Sequence, residues 1–437
     1  MEAPRGLDVI LQRLLTGSPE AVMAPPPGPV HTVYGGAQLF RADLVARVGA
    51  QARTQLETYG GGPVDFVRAC REGVPGALAE EVHRAVVERL TTRPVDDYRV
   101  DFEDGFGPRS DEEEDREALR VAAEVLRGMK EDTLPRGLGI RVRALERPTA
   151  ARALRTLELV VGTIARGAGA LPRGFVVALP KVRQETEVTA LADALTVLEG
   201  SHGLAPGSLA LELMVETPEA LVSHGRLRPR ALVDAARGRC VAVHLGAYDL
   251  TARLGVGARD QRLGHPYCAL ARQVLALELH GTGVAVSDGA TTRLPVPPHR
   301  GAALDEAQRE ANALAVRAAW RAHADNVSEA LGVGIDRGWD LHPGQLPARF
   351  AALFLHHREG FRDTCARLRA FLARGAVASL HQGLMDDAAT GQAMLNAVLR
   401  AVDCGAVAEA EAAEGVGCSL GALRGRSFGD LVRGAGA

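Results

Sequence analysis

Six short groups of polar residues carry the chemistry legible in this 437-residue chain: Glu103 to Gly105 (EDG), Pro180 with Lys181, Glu216 with Thr217, Tyr248 with Asp249, Ser287 to Gly289 (SDG) and His342 to Gln345 (HPGQ). Each closes a run of β-type residues. Glu216 and Asp249 end consecutive runs, and neighbouring strands lie about 4.8 Å apart, so both carboxylates can reach one hard divalent cation and leave positions for water and substrate oxygens. Two carboxylates without His or Cys beside them favour Mg²⁺ or Mn²⁺ over zinc. The pattern is equally compatible with both acids pairing to arginines at the same rim. Lysine is scarce: Lys130 and Lys181 are the only two among 51 basic residues. Lys181 is therefore a candidate either for Schiff-base chemistry with a 2-oxo acid or for holding ions.

The elements that must position these groups are eight β-type runs: His31 to Gly35, Tyr98 to Asp104, Gly139 to Leu145, Gly174 to Val182, Leu209 to Thr217, Cys240 to Leu250, Gly283 to Gly289 and Trp339 to Leu346. Segments with apolar residues at i, i+3, i+4 and i+7, such as Ala150 to Ala165 and Glu187 to Glu199, separate them. The alternation predicts an α/β protein, a (β/α)₈ TIM barrel with helical insertions and a helical C-terminal extension. Residues 1–29 form an N-terminal arm, 30–357 the barrel and 358–437 the extension, which is expected to pack on the barrel or on a neighbouring subunit. Gly36 to Asp96 can hold two helices, and Ala290 to Gly338 joins a Pro-rich loop to a helix over Leu304 to Leu331.

Strand parity places Glu212, Met214 and Glu216 inside the barrel, together with Arg99, Asp101, Glu103, Arg141, Arg143 and His244. So many buried charges require partners among themselves or a ligand. The acidic run Asp111 to Glu117 follows Pro108 and is read as a solvated helix start rather than a metal box. Trp320 and Trp339 are read as packing residues, His356 and His357 as helix-end groups, and His342 as either a loop-fixing residue or a substrate contact.

Composition excludes several classes. The formal charge is -3, with 46% apolar and 24% charged residues, so neither nucleic acid nor an anionic membrane is an expected partner. No apolar run reaches the roughly 18 residues of a spanning helix. The six cysteines are scattered without a CxxC pair, and the opening residues mix charges with apolar side chains, so a cytoplasmic location is expected.

At the rim residues the chain resembles the HpcH/HpaI aldolase and citrate lyase beta-subunit family over roughly residues 30 to 357. The family's DLEDAV motif is matched by Asp101 to Phe106 (DFEDGF), its VRxN strand by Ile140 to Arg143 (IRVR), LPK by Leu179 to Lys181, IET by Val215 to Thr217, GxxDLxxxLG by Gly246 to Gly255, and IHPxQ by Leu341 to Gln345. The resemblance implies a Mg²⁺- or Mn²⁺-dependent carbon–carbon lyase or aldolase that acts through a metal-stabilised enolate on a small 2-oxo or hydroxy acid, or on its coenzyme A thioester. It makes Glu216 and Asp249 the metal ligands, Asp104 a carboxylate reaching the metal through water, and Arg141 the clamp on the substrate. Glu103 and Lys181 join Arg141 and Asp104 in the catalytic set, with Arg143, His342, Gln345 and Asp288 as further substrate-binding residues. It also implies a homo-oligomer, trimeric or hexameric, with C-terminal segments covering neighbouring sites. Arg143 replaces the usual Asn, which suggests a more acidic substrate or a partner for Glu212; the first strand reads TVYGGAQLF where many relatives carry Pro-Ala. Three alternatives remain: phosphoryl transfer to or from an enolpyruvate, a Schiff-base aldolase using Lys181, and a non-catalytic acid-binding barrel.

Overall fold

A computed structural model describes residues 28–301, 303–373, 379–381, 384–386 and 388–424. All eight β-type runs form strands: β1 (His31–Gly36), β2 (Asp97–Asp101), β3 (Gly137–Arg141), β4 (Val176–Leu179), β5 (Ala210–Val215), β6 (Cys240–Leu245), β7 (Ala285–Ala290) and β8 (Arg337–Asp340). They pair in parallel, each with its sequence neighbours, and β1 meets β8 to close the barrel. The fold is a (β/α)₈ TIM barrel. No helix among the described residues is long and apolar enough to cross a membrane.

The first insertion holds three helices, α1 (Leu44–Tyr59), α2 (Pro63–Cys70) and α3 (Gly76–Thr92), where two were expected. Gly61 takes the left-handed backbone (φ 74°) and Pro63 opens α2, so the chain turns within a stretch whose apolar content does not fall. The acidic run opens α4 (Asp111–Glu131): Ser110 accepts the Glu113 N–H, Glu113 accepts the Ser110 N–H, and four acids in the first turn face the positive end of the helix. Then come α5 (Ala150–Ala168), α6 (Glu185–Ser201), α7 (Pro229–Ala235), α8 (Ala247–Arg253), α9 (Pro266–Glu278), α10 (Glu306–Gly332) and α11 (Leu346–Arg358).

The C-terminal region contributes α12 (Phe361–Ala373), α13 (Ala388–Asp403) and α14 (Glu409–Val416). It also holds an antiparallel pair, Ser379–His381 with Leu384–Asp386, which the sequence reading did not anticipate because three-residue strands are too short to show alternation. Phe361, Cys365, Leu368, Leu395 and Val398 join the apolar core that surrounds the barrel. The expected N-terminal arm lies outside the described residues except for its last two.

The barrel interior is layered. Lowest is an ionic layer: Arg99 donates to both oxygens of Glu212 (2.8 and 2.7 Å) and to Asp97 (2.5 Å), which also accepts the Thr32 hydroxyl (3.0 Å). Above it sits a small apolar cluster of Tyr34, Met214, Ala290 and Trp339, separate from the outer core. The rim lies above that cluster.

At the opposite end, Glu199 ties α6 to the starts of β5 and β6. Its carboxylate accepts the N–H groups of Leu209 (2.8 Å) and Gly207 (2.9 Å) and two nitrogens of Arg239 (2.7 and 2.8 Å). Burial alone would raise this group, but Arg239 and the two N–H donors hold it at about 2. A depressed carboxylate stabilises the fold above its unfolded value and loses that contribution as pH falls through the folded one. Glu199→Gln should therefore lower unfolding free energy by about 2–4 kcal/mol at pH 7, and urea titrations should show the difference shrinking as pH falls from about 4.5 toward 2.

Candidate active site at the barrel rim

Asp101, the last residue of β2, organises the rim. Its oxygens accept the backbone N–H of Glu103 (2.9 Å) and Gly105 (2.7 Å), which folds the turn after the strand. The same oxygens hold Arg141 at the end of β3 through Nε (2.7 Å) and Nη2 (2.5 Å). This two-point grip leaves Nη1 facing Glu103 (3.4 Å) and the Met214 sulfur (3.7 Å). Arg141 is thus oriented by one carboxylate and presents its remaining edge to the rim.

Lys181 makes a tight turn after β4, with a left-handed backbone (φ 53°) unusual for a residue with a side chain. Its N–H donates to Glu216 Oε1 (2.6 Å), and its amine pairs with Glu103 and with Asp104 (3.1 Å). Burial would lower the amine, but the hydrogen bond and charge of Glu103 keep it well above its ordinary value, as an ammonium. Asp104, which burial would raise, is held below its usual range by Glu103 and Lys181. Glu103 itself is pushed up to about 6, chiefly by burial, against the pull of Arg141.

Glu216 is one residue past β5 and buried. Gly246 must be glycine because a Cβ there would run into the Glu216 side chain. Thr217 fastens the adjoining turn, donating to Val182 O (2.7 Å) and accepting the Ala220 N–H (3.2 Å). Asp249 is not on a strand as its run suggested: β6 stops at Leu245, and Leu250 N–H bonding to Gly246 O (3.2 Å) starts α8, so Asp249 sits in a first helical turn. Burial pushes Glu216 up to about 8; Arg141 opposes this and the negative charge of Asp249 adds to it. Apart from the Lys181 N–H, neither acid has a hydrogen-bond or ion-pair partner among the described residues.

No group of three or more His, Cys, Asp or Glu side chains among the described residues is arranged to hold a metal. Asp104 in particular is drawn to Lys181. Glu216 and Asp249 nevertheless suit Mg²⁺ or Mn²⁺, since a hard cation held by one or two carboxylates keeps several waters or substrate oxygens as its other ligands.

Four residues expected to bind substrate are engaged elsewhere. Arg143 lies beyond the end of β3, where parity no longer applies, and its guanidinium pairs with buried Glu114 (2.7 Å) and Gly107 O (3.2 Å); Glu212 takes Arg99 instead. Asp288 is buried against Arg272 (3.1 Å). Gln345 is fully buried, donating to Thr291 O (2.8 Å) and accepting the N–H groups of Leu341 (2.8 Å) and His342 (3.1 Å). His342 accepts the Gly344 N–H (3.0 Å) and so fixes its loop. Two residues with no role assigned from sequence matter more: Asp101, whose spacing from Glu103 puts both on the inner face, and Tyr34, whose ring lies 5.3 Å from the Arg141 guanidinium carbon.

The fold and rim define a TIM-barrel protein with a carboxylate-rich site at the C-terminal ends of its strands, where barrel enzymes carry their chemistry. Residues 23–431 match the family described as a domain of unknown function (DUF6986), and the chain belongs to that family. No curated protein matches. Among solved structures, a citrate lyase from Burkholderia xenovorans LB400 is similar at 18% identity, with 91% of this chain and 98% of that chain covered and a TM-score of 0.58. A malate synthase from Haloferax volcanii, in a pyruvate/acetyl-CoA ternary complex, matches at 16% identity over 86% and 91% of the two chains with a TM-score of 0.47. The CitE protein of Mycobacterium tuberculosis, in complex with magnesium and pyruvate, matches at 18% over 75% and 91% with a TM-score of 0.41. The first of these shares the barrel fold.

Removing the anchor of a buried arginine leaves its charge uncompensated. Asp101→Ala is expected to cost about 3–5 kcal/mol of unfolding free energy in urea titration, whereas Asp104→Ala, at an exposed carboxylate, should cost less than about 1 kcal/mol.

Proposed function

We propose that this protein is a divalent-cation-dependent carbon–carbon lyase or aldolase of the HpcH/HpaI and citrate lyase beta-subunit type, acting on a small 2-oxo or hydroxy acid. The observation that carries the reading is the pair Glu216 and Asp249. Asp97, Asp101, Glu103 and Glu212 are each paired with an arginine or lysine, whereas among the described residues neither Glu216 nor Asp249 makes a side-chain ion pair, and the negative charge of Asp249 acts on Glu216. Such a pair is costly unless a cation joins it.

Mg²⁺ or Mn²⁺ bound there would supply a Lewis acid for a substrate carbonyl oxygen. The chain's own residues do the rest. Arg141 binds the substrate carboxylate through its free edge, and its orientation is set beforehand by Asp101, so little reorganisation accompanies the appearance of negative charge on the reacting oxygen. The Lys181 N–H holds Glu216 in place, and the Lys181 ammonium neutralises Glu103 and Asp104 at the mouth. An amine engaged in this way is a poor nucleophile, which disfavours the Schiff-base alternative. The same reading extends to a coenzyme A thioester as an alternative substrate form and to a homo-oligomeric assembly.

Retro-aldol substrates and acyl thioesters should be screened with Mg²⁺ and with EDTA, reading release of pyruvate, oxaloacetate, glyoxylate or free thiol. Turnover that EDTA abolishes, and that Glu216→Gln lowers at least about 10³-fold, is the expected result. Full activity in EDTA, or a Glu216→Gln variant as active as the wild type, would contradict it.

A further inference from the structure

The rim and the lower ionic layer are separated by a floor. Tyr34, Met214, Ala290 and Trp339 fill the middle of the barrel, all buried. Tyr34 stacks on Trp339 with ring centroids 4.5 Å apart and an interplanar angle of 27°. The Trp339 indole N–H donates to His244 Nδ1 (2.6 Å), which fixes the indole from below. Tyr34 is therefore wedged against a ring that cannot turn.

What rests on this floor is the substrate clamp. The Arg141 guanidinium carbon lies 5.3 Å from the Tyr34 ring centroid, and Nη1, the nitrogen left free by Asp101, is 3.7 Å from the Met214 sulfur. Met214 and Glu216 share one face of the β5 end, so the floor also underlies the carboxylate pair. Tyr34 and Gly36 share the inner face of β1, and Gly36 carries no side chain; Tyr34 is thus the uppermost β1 side chain in the interior. Tyr34 and Met214 thus close the interior directly against the edge of Arg141 that Asp101 leaves free.

The hydroxyl of Tyr34 has no hydrogen-bond partner among the described residues. The Tyr34 ring, by contrast, lies under the Arg141 guanidinium. We propose that Tyr34 is a specificity-determining residue: its ring closes the barrel beneath Arg141 and restricts the site to short-chain acids. This rests on the acid-binding reading of the rim given above.

The test is titration calorimetry with saturating Mg²⁺, using glyoxylate, pyruvate, 2-oxobutyrate and 2-oxovalerate against the wild type, Tyr34→Ala, Tyr34→Leu and Tyr34→Phe, with thermal unfolding as the control for folding. The wild type should lose affinity as the chain lengthens. In Tyr34→Ala and Tyr34→Leu the preference should shift toward the longer acids by about fourfold per added methylene, while Tyr34→Phe keeps the wild-type ratios. A merely structural tyrosine would change stability and leave these ratios alone. If Tyr34→Ala does not fold, Tyr34→Leu decides. Folded variants with wild-type ratios would overturn the proposal, as would a shift in Tyr34→Phe alone. A folded wild type that binds none of the four acids would overturn the acid-site reading and this inference with it.

Discussion

The structure turns on the cost of placing charge inside a closed cylinder. A barrel serving only stability would be filled by branched apolar side chains, yet this one carries Asp97, Arg99, Asp101, Arg141, Glu212 and His244 in its interior. These groups are tolerable because each is answered: Arg99 by Glu212 and Asp97, Arg141 by Asp101. Once that rule is seen, the exceptions become informative. Among the described residues, Glu216 and Asp249 at the rim make no side-chain ion pair, although the charge of Arg141 reaches Glu216.

A second consequence is vertical order. The lower ion pairs lock β2 to β5, the Tyr34 and Trp339 stack seals the middle, and Asp101 then fixes Arg141 above the seal. Arg141 is held firmly because its anchor is a strand residue and the surface beneath it is packed aromatic. The segments after β4, β5 and β6 only have to bring Lys181, Glu216 and Asp249 to a frame already set.

Much of this was legible in the sequence, and the limits have physical causes. The eight strands were readable because each is a short apolar run between segments of helical period, and parity gave the inner face of β2 and β5 correctly through Arg99, Asp101, Glu212 and Met214. Parity fails where a strand stops. Arg143, two residues past the end of β3, swings out to Glu114, and Asp249, four past the end of β6, rides on a helix. Gln345 and His342 looked like ligands because polar residues at a strand end are ambiguous; backbone N–H groups in the following turn claim them. The partner of Arg141 could not be read at all, since Asp101, Glu103 and Asp104 offer three carboxylates within four residues and only the fold selects among them.

The most direct measurement of the central claim is anomalous scattering from crystals soaked in MnCl₂. One strong peak is expected at the barrel rim, about 2.1 Å from carboxylate oxygens of both Glu216 and Asp249, with water completing the coordination. A fully soaked crystal with no peak there, or with its manganese bound by other residues while Glu216 and Asp249 face apart, would contradict it.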